Sequence, residues 1–412
     1  MPNQNLLKNK FKVVYPDFPG FEQTPNTVRI IQKAGHQDIA EISYELITSF
    51  YQRALKPGSL VKISWSNSYF SGNFFGQVIS VNPEKNFGQR RPTTVKVIGT
   101  ALALKESTSK IWVNKKASQI VEEISKKFKL KSVVVPTKPI LTQESMVGQT
   151  YWQKLRNLAD KSGYVFHVFN TDLYFLPFDT MIKKFTRNIP LLSMETTYGN
   201  GMDYEAMCTL LEFSSESEAI PSRPTNSNRT KNIVGIDPIT GKMFQDNKSK
   251  VGKSLRRSVN PTNFSEQMFS VTVGSKSLAE SRAIAAAQMS RWSERARAMA
   301  QGDPRIAPYR TIQIRGTGVT TDGLWIVQSA DHFMAHDGRY TVDISCMTDG
   351  SGGNTVGGFR SSVNEYAVRN VAYELASGLE TKPSFTKLNA TRPLITQSNS
   401  GLDLKQRRWV GR

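Results

Sequence analysis

The chain of 412 residues is longer than one compact core usually requires, so we expect two to four domains. Its 38% hydrophobic content and mean hydropathy of -0.39 are typical of a soluble protein with buried cores. The chain contains no run of eighteen apolar residues, and its N-terminus is polar. The sequence therefore predicts neither membrane insertion nor a secretory signal. Only two cysteines occur, Cys208 and Cys346, which excludes a disulfide scaffold and fits synthesis in a reducing cytosol.

Positive charge dominates the chain, because 54 Lys and Arg residues against 34 Asp and Glu residues give a formal net charge of +20. Such an excess favours nucleic acid, an anionic membrane or an acidic protein as a partner. The basic residues are spread along the chain and do not form the local stripe that is typical of a DNA-binding helix. A basic nucleic-acid-binding protein therefore stays open as one interpretation.

The first hundred residues show the pattern of strands. In Ser59–Trp65, apolar and polar residues alternate, which indicates a half-buried strand. The turn Gly72-Asn73 leads into a returning strand that begins at Phe74, and Thr93–Leu104 supplies another. Several short strands with Gly and Pro turns predict a small antiparallel β-barrel over residues 1–104.

The period then changes to that of amphipathic helices. Apolar residues at helical spacing predict a first helix at Ser118–Lys129 and, after a proline-bounded connector, a second helix that is stopped near Gly163. The segments 164–169 and 173–176 flank Asn170-Thr171-Asp172 and predict a hairpin. These elements define an α/β inserted domain at residues 105–186.

The remainder of the chain alternates between polar stretches and regular elements. We expect a polar loop at 214–263, and a strand and Ala-rich helix at 264–302 that join the inserted domain. The helix should begin at the capping box Ser277–Glu280 and continue to Met299. Strands resume at 311–315, 324–329 and 339–347, so residues 187–213 and 303–350 predict a second barrel. Residues 351–412 predict an extended C-terminal arm.

The only metal-like spacing is His332-x3-His336, beside Asp331 and Asp337. This pair is a weak candidate, because it spans the end of a strand and a turn; a histidine bonded to nearby backbone is the preferred interpretation. His167 in the hairpin is expected to be a packed side chain. No nucleotide-binding or nucleophile motif occurs, so we expect no cofactor and no catalytic residues.

Two other kinds of site can be weighed against core packing. Glycan cleavage would need two carboxylates facing each other across a cleft. Nothing in the sequence pairs the acidic residues Glu123, Glu144, Asp160 and Asp172 in this way. Single-stranded nucleic acid could stack on aromatic residues among lysines. Phe70, Phe74 and Phe75 lie near Lys62 and Lys85, but their strand spacing favours a place in the barrel core.

Two blocks of sequence resemble a known family. The first is Ala117–Leu130 followed by Gln149–Gly163 and Leu173–Leu176. The second is Ala279–Ala300 with Gly323–Val327, Ala330-Asp331-His332 and Asp337–Thr341. Their order and spacing are similar to those of phage late control protein D, the family of contractile-tail baseplate hub proteins that is also similar to the N-terminal part of type VI secretion spike proteins.

The resemblance implies a mainly β fold with an α/β insertion, in which two small antiparallel β-barrels per chain form a trimeric, pseudo-sixfold ring. It implies a structural role in a virion tail baseplate that is assembled in the host cytoplasm, and no enzyme activity. The ring would join the tail tube to the central spike and leave a channel for DNA; tape measure and wedge proteins are further candidate partners. A tail-associated cell-wall hydrolase stays as an alternative.

The basic end of the C-terminal arm is the predicted site of contact with a neighbouring subunit or the spike. The residues chosen for this contact are Lys405, Arg407, Arg408, Trp409 and Arg412.

Overall fold

The structure is a computed structural model that is dominated by strands. It describes residues 9–45, 55–67, 69–86, 89–185, 188–194, 209–216, 230–236, 243–246, 265–269, 278–279, 281–282, 285, 292, 294–318 and 321–348. None of the helices in these ranges has the length and apolarity needed to cross a lipid bilayer.

The elements follow one another in three blocks. The first block contains β1 (Lys10–Val14), β2 (Thr27–Lys33), β3 (Ile39–Tyr44), β4 (Leu60–Ser66), β5 (Ser71–Asn86), β6 (Gln89–Gly99) and a 3-10 helix (Thr100–Lys105). The second contains β7 (Lys110–Lys116), α1 (Ala117–Lys127), β8 (Lys131–Val134), β9 (Ile140–Met146), α2 (Tyr151–Ser162), β10 (Tyr164–Phe169), β11 (Asp172–Pro177) and α3 (Phe178–Lys184). The third contains β12 (Leu191–Ser193), β13 (Leu210–Glu216), β14 (Thr230–Ile236), β15 (Met243–Asp246), β16 (Ser265–Phe269), β17 (Glu294–Gln301), β18 (Thr311–Arg315), β19 (Gly323–Ala335) and β20 (Tyr340–Thr348).

Alternating burial explains the strands that the sequence predicts. In β4, Val61, Ile63 and Trp65 are buried, and the intervening residues face outward. In β20, Tyr340, Val342 and Ile344 are buried on one face, as predicted. A strand with one apolar face is stable only where that face meets other apolar residues. Both strands therefore require a partner layer.

That requirement is met by one twelve-stranded sheet, which contains strands from both predicted barrels. Ten strands run in the order β1-β4-β5-β6-β3-β2-β19-β20-β17-β13, and β18 and β12 extend from β19. The joint is the antiparallel pair β2·β19, in which Arg29 lies opposite Phe333 and Val28 opposite Met334. The mainly β fold is thus confirmed, and the two halves share a hydrogen-bonded seam.

A single hydrophobic core lies on the inner face of this sheet. It contains side chains from both halves, including Ile42, Trp65, Trp325 and Val342. The sheet curls enough for the β4–β5 region to meet the second half: the Arg305 guanidinium lies 3.7 Å from the centroid of the Phe70 ring.

The α/β domain has its own core between α1, α2 and the hairpin β10·β11. Both helices begin and end for local reasons. The Thr150 side chain caps α2 by accepting a hydrogen bond from the Gln153 backbone N–H at 3.2 Å. Gly163 ends this helix in the left-handed conformation, at φ 68°. The two predicted helices and the predicted hairpin are confirmed.

The prediction of an Ala-rich helix as far as Met299 is wrong in its second half. The described residues within 278–285 are helical, and Leu278 and Ala279 pack in the α/β core. Glu294–Gln301 instead forms β17, between β13 and β20. Its residues alternate between buried Ala296, Ala298 and Ala300 and outward side chains, and sheet pairing outweighs the helix propensity of alanine and arginine.

Two segments predicted as irregular contain strands. In the polar stretch 214–263, β14 pairs with β15; β16, which follows this stretch, joins β14 in parallel. The proline-bounded connector contains β8, which pairs with β11, and β9, which pairs with β7. Backbone pairing supplies the order that these polar sequences do not signal by periodicity. The C-terminal arm at 351–412 lies outside the described residues, and the domain limits stay a prediction.

Candidate assembly surfaces

The histidine pair that has metal-like spacing does not form a metal site. His332 in β19 is buried, and its two ring nitrogens lie 2.9 Å from the Tyr340 hydroxyl and 2.9 Å from the Ile306 carbonyl oxygen. Because a carbonyl only accepts, Nε2–H donates to Ile306 and Nδ1 accepts from Tyr340. His336 is exposed beyond the end of β19. No group of three or more His, Cys, Asp or Glu residues suited to a metal occurs in the described ranges.

Burial keeps two histidines neutral. It lowers the pKa of His332 to about 4, although the hydrogen bond with Ile306 raises it. It lowers the pKa of His167 to about 3, and the charge of His36 adds to this effect. Neither nitrogen of His167 has a hydrogen-bond partner, and the ring packs 4.2 Å from the centroid of Phe169 and 5.5 Å from that of Tyr309. The prediction that His167 is a packed side chain is confirmed.

Two of the four carboxylates considered for glycan cleavage, Glu123 and Glu144, are held by lysines. Glu144 is buried and accepts hydrogen bonds from Lys154 at 2.5 Å and from Lys161 at 2.8 Å. Burial raises the pKa of Glu144, but these two hydrogen bonds outweigh it, and the pKa is lowered. Hydrogen bonds from Lys110 and Lys115 lower the pKa of Glu123 to about 2. A general acid needs a raised pKa, so neither residue is prepared for that role.

Asp38 is the one aspartate in the described ranges whose burial raises its pKa into the neutral range. The pKa rises to about 7 although Gln32 donates a hydrogen bond to Oδ2 at 2.9 Å, and Oδ1 has no partner. The carboxyl faces a small recess where the sheet meets the hairpin of the α/β domain. The recess is lined by Asp38, Phe74, Phe75, Gly99, Thr100, Ala101, Val168 and Asn170. It contains no second carboxylate, so it lacks the pair that glycan cleavage requires.

The outward face of the large sheet carries charges of both signs. Across neighbouring strands, Lys96 lies 3.3 Å from Glu41, and the guanidinium of Arg29 holds both carboxylate oxygens of Asp331 at 2.5–3.0 Å. Asp343 lies opposite Asp331, and Arg295 and Arg297 follow on β17. This part of the face therefore mixes both signs in a chain of net charge +20.

The aromatic residues considered for nucleic-acid stacking have different positions. Phe74 is buried in the core, as predicted. Phe75 and Phe70 are half-buried, and each is covered by a cation, because Lys62 lies 5.4 Å from the Phe75 ring centroid and Arg305 covers Phe70. A cation therefore occupies one face of each of these rings.

The partner-contact residues predicted in the C-terminal arm, from Lys405 to Arg412, lie outside the described residues.

An exposed apolar face on the ribbon β7·β9 was missed by sequence reasoning. The signal was the run Ile111-Trp112-Val113, in which consecutive residues are apolar and therefore place apolar side chains on both faces of the strand.

No protein-family model matches the sequence, and no curated protein matches it. Solved structures do match its fold. A tail protein from Neisseria meningitidis MC58 has a TM-score of 0.57 at 10% identity, covering 83% of this chain and 97% of that chain. The 43 kDa tail protein of prophage MuSo2 from Shewanella oneidensis has a TM-score of 0.56 at 14% identity, covering 84% and 99%. The chain has the fold of phage tail proteins.

The tail-protein fold extends to secretion machinery. An E. coli component of the type VI secretion system, described as structurally similar to T4 bacteriophage tail proteins, has a TM-score of 0.50 at 10% identity. The match covers 84% of this chain and 79% of that chain. The resemblance suggested by the two sequence blocks is thus confirmed at the level of the fold.

Proposed function

We propose that this chain is a structural hub protein of a phage tail baseplate or a related injection machine. Three copies would form a pseudo-sixfold ring that joins the tail tube to the central spike. The observation that carries the proposal is the fold, which is that of solved tail proteins. Its large sheet combines two groups of strands, one that precedes the α/β domain in the sequence and one that follows it. Two barrel-like halves per chain are what a trimer needs to meet a sixfold tube.

The sheet ends support assembly through backbone edges. In the described ranges, β1 pairs only with β4, and β13 only with β17, so these two strands form the ends of the ten-strand order. The end strands of a sheet are the places where a strand of another chain can be added. Lys10 and Lys12 lie on β1, whereas Glu212 lies on β13, so the two end strands carry charges of opposite sign. The tube ring, the spike, the tape measure protein and the wedge proteins are the other expected partners.

The ring would leave a channel through which DNA passes. A surface over which DNA slides should not bind phosphates tightly, because each phosphate contact adds to affinity. The mixed charges around Arg29, Asp331 and Lys96 suit such a surface. Tight, salt-dependent duplex binding by the purified chain would instead favour a nucleic-acid-binding protein.

Mass photometry with negative-stain imaging of the full chain, alone and with its spike protein, tests the ring. We expect trimeric particles with a central opening. A persistent monomer at micromolar concentration in both samples would contradict the proposal. A lysis band on a peptidoglycan zymogram that a single carboxylate substitution abolishes would favour the hydrolase alternative.

A further inference from the structure

The two-stranded ribbon β7·β9 has one face inside the α/β domain and one face in solvent. On the inner face, Trp112 and Met146 are buried in the domain core. Glu144 also faces inward, where Lys154 and Lys161 hold its carboxylate. A buried ion pair of this kind fixes which face of the ribbon is turned inward. Reversing the ribbon would expose the core residues and leave Lys154 buried without its carboxylate.

The outer face is the most exposed apolar surface in the described part of the chain. Val147 is 66% exposed, Ile140 60%, Val113 59% and Ile111 58%; among the other large hydrophobic residues there, Tyr69 alone exceeds 50%. Ile111 lies opposite Ser145, and Val113 opposite Gln143, so the apolar residues are interleaved with neutral polar ones. Single exposed apolar residues are common, but four on one small ribbon mark an interaction site.

Positive charge predominates around this face. Lys110, Lys115 and Lys116 lie on β7, and Lys138 precedes β9. Glu123 on α1 is bonded by Lys110 and Lys115, and Glu144, the single acid within the two strands, faces the core. The solvent side of the ribbon is therefore apolar with a basic rim.

We propose that this ribbon face, defined by Ile111, Val113, Ile140 and Val147, binds an extended segment of another tail protein in which acidic residues alternate with apolar ones. The apolar residues would cover the exposed side chains, and the acids would meet Lys116 and Lys138. In the described ranges, β7 and β9 pair along their lengths only with each other, so each also has a free edge to which such a segment can add as a strand.

A second copy of this chain fits the face poorly. Two ribbons meeting face to face would bring their lysine rims together, and like charges opposite each other destabilise a sheet contact. An acidic partner gains attraction from every lysine that a second copy would repel. Charge complementarity therefore selects a different protein.

The test is site-specific photo-crosslinking in intact tail particles. A photoreactive phenylalanine is placed at Val113, with a matched control at Ile79, which is an exposed apolar residue on β5 of the large sheet. After irradiation, mass spectrometry identifies the peptide attached at Val113. We expect one segment of another tail protein that contains alternating acidic and apolar residues, and no such adduct at Ile79.

A charge-reversal variant adds a second readout. The double substitution Lys116→Glu and Lys138→Glu should lower the crosslink yield at Val113 about fivefold, since two favourable surface pairs become repulsive. The inference rests on the proposed tail role for the choice of complex. If the chain is absent from purified tails, the proposed function fails. If the chain is present, three results at Val113 would overturn the docking proposal: no adduct, an adduct to a second copy of this chain, or an adduct to a basic segment.

Discussion

Buried neutral His167 should make the fold sensitive to mild acid. Its ring nitrogens have no partner, and burial lowers its pKa to about 3, whereas in the unfolded chain it titrates near 6.5. Below pH 6.5 the unfolded state binds a proton at this histidine and the folded state does not. The free energy of unfolding therefore decreases as the pH is lowered from 6.5 to about 3. For these two pKa values, the loss at pH 5.0 relative to pH 7.5 is about 2 kcal/mol.

The substitution His167→Leu isolates this effect. Leucine has nearly the volume of histidine and cannot titrate. At pH 7.5 the variant should stay within about 1 kcal/mol of the parent protein, because removing an unpaired polar group offsets the lost contacts with the rings of Phe169 and Tyr309. Between pH 7.5 and pH 5.0, its stability relative to the parent protein should rise by about 2 kcal/mol.

Urea unfolding followed by tryptophan fluorescence at both pH values measures the difference. His332 and Asp38 titrate in both proteins, so their contributions cancel when the variant is compared with the parent protein at each pH. His336→Leu, at an exposed position, is the matched control and should leave the pH dependence unchanged. If His167→Leu and the parent protein lose the same free energy between pH 7.5 and pH 5.0, the argument from a buried neutral imidazole is refuted.

Three further substitutions test the packing of the α/β domain and its junction with the sheet. Gly163→Ala should destabilise the protein by about 2 kcal/mol more than Gly148→Ala in urea unfolding, because both sites have positive φ but only the first would place a Cβ within 2.5 Å of another side chain; equal losses would refute the close approach. Glu144→Gln should cost about 3–5 kcal/mol, because it leaves a buried lysine unpaired, whereas Lys161→Met should cost under about 1 kcal/mol; similar losses in a thermal melt would contradict the buried pair. Asp38→Asn should become more stable relative to the parent protein as the pH rises from 4 to 7, by up to about 1.4 kcal/mol per pH unit, because the buried carboxyl of the parent resists ionisation. A pH-independent difference in urea unfolding would show that the carboxyl is solvated.

The sequence predicts the elements whose pattern is local. The amphipathic spacing around Ile120 and Leu155 indicates α1 and α2, and Gly163 marks the end of α2 because glycine adopts positive φ without strain. The alternation in β4 and β20 indicates strands with one buried face. The interpretation of His332 as a histidine bonded to backbone is confirmed by its contact with Ile306.

Features that depend on distant partners were not predictable from local pattern. The segment Glu294–Gln301 has the composition of a helix, and it is a strand because β13 and β20 pair with it on both sides. The apolar face of β7·β9 is exposed among the described residues, so a rule that places apolar residues in cores does not predict it. The seam between β2 and β19 joins residues that no short-range signal connects.

This seam has a consequence for synthesis on the ribosome. Arg29 and its partner Asp331 are 302 residues apart, so β2 is an open edge until almost the whole chain has been made. At about 5–20 residues per second, β2 waits roughly 15–60 s for β19. An open edge invites pairing with other nascent chains, and outward cations blunt that tendency. Arg29 and Lys33 place two such cations on the edge of β2 before Arg29 enters its ion pair in the finished protein.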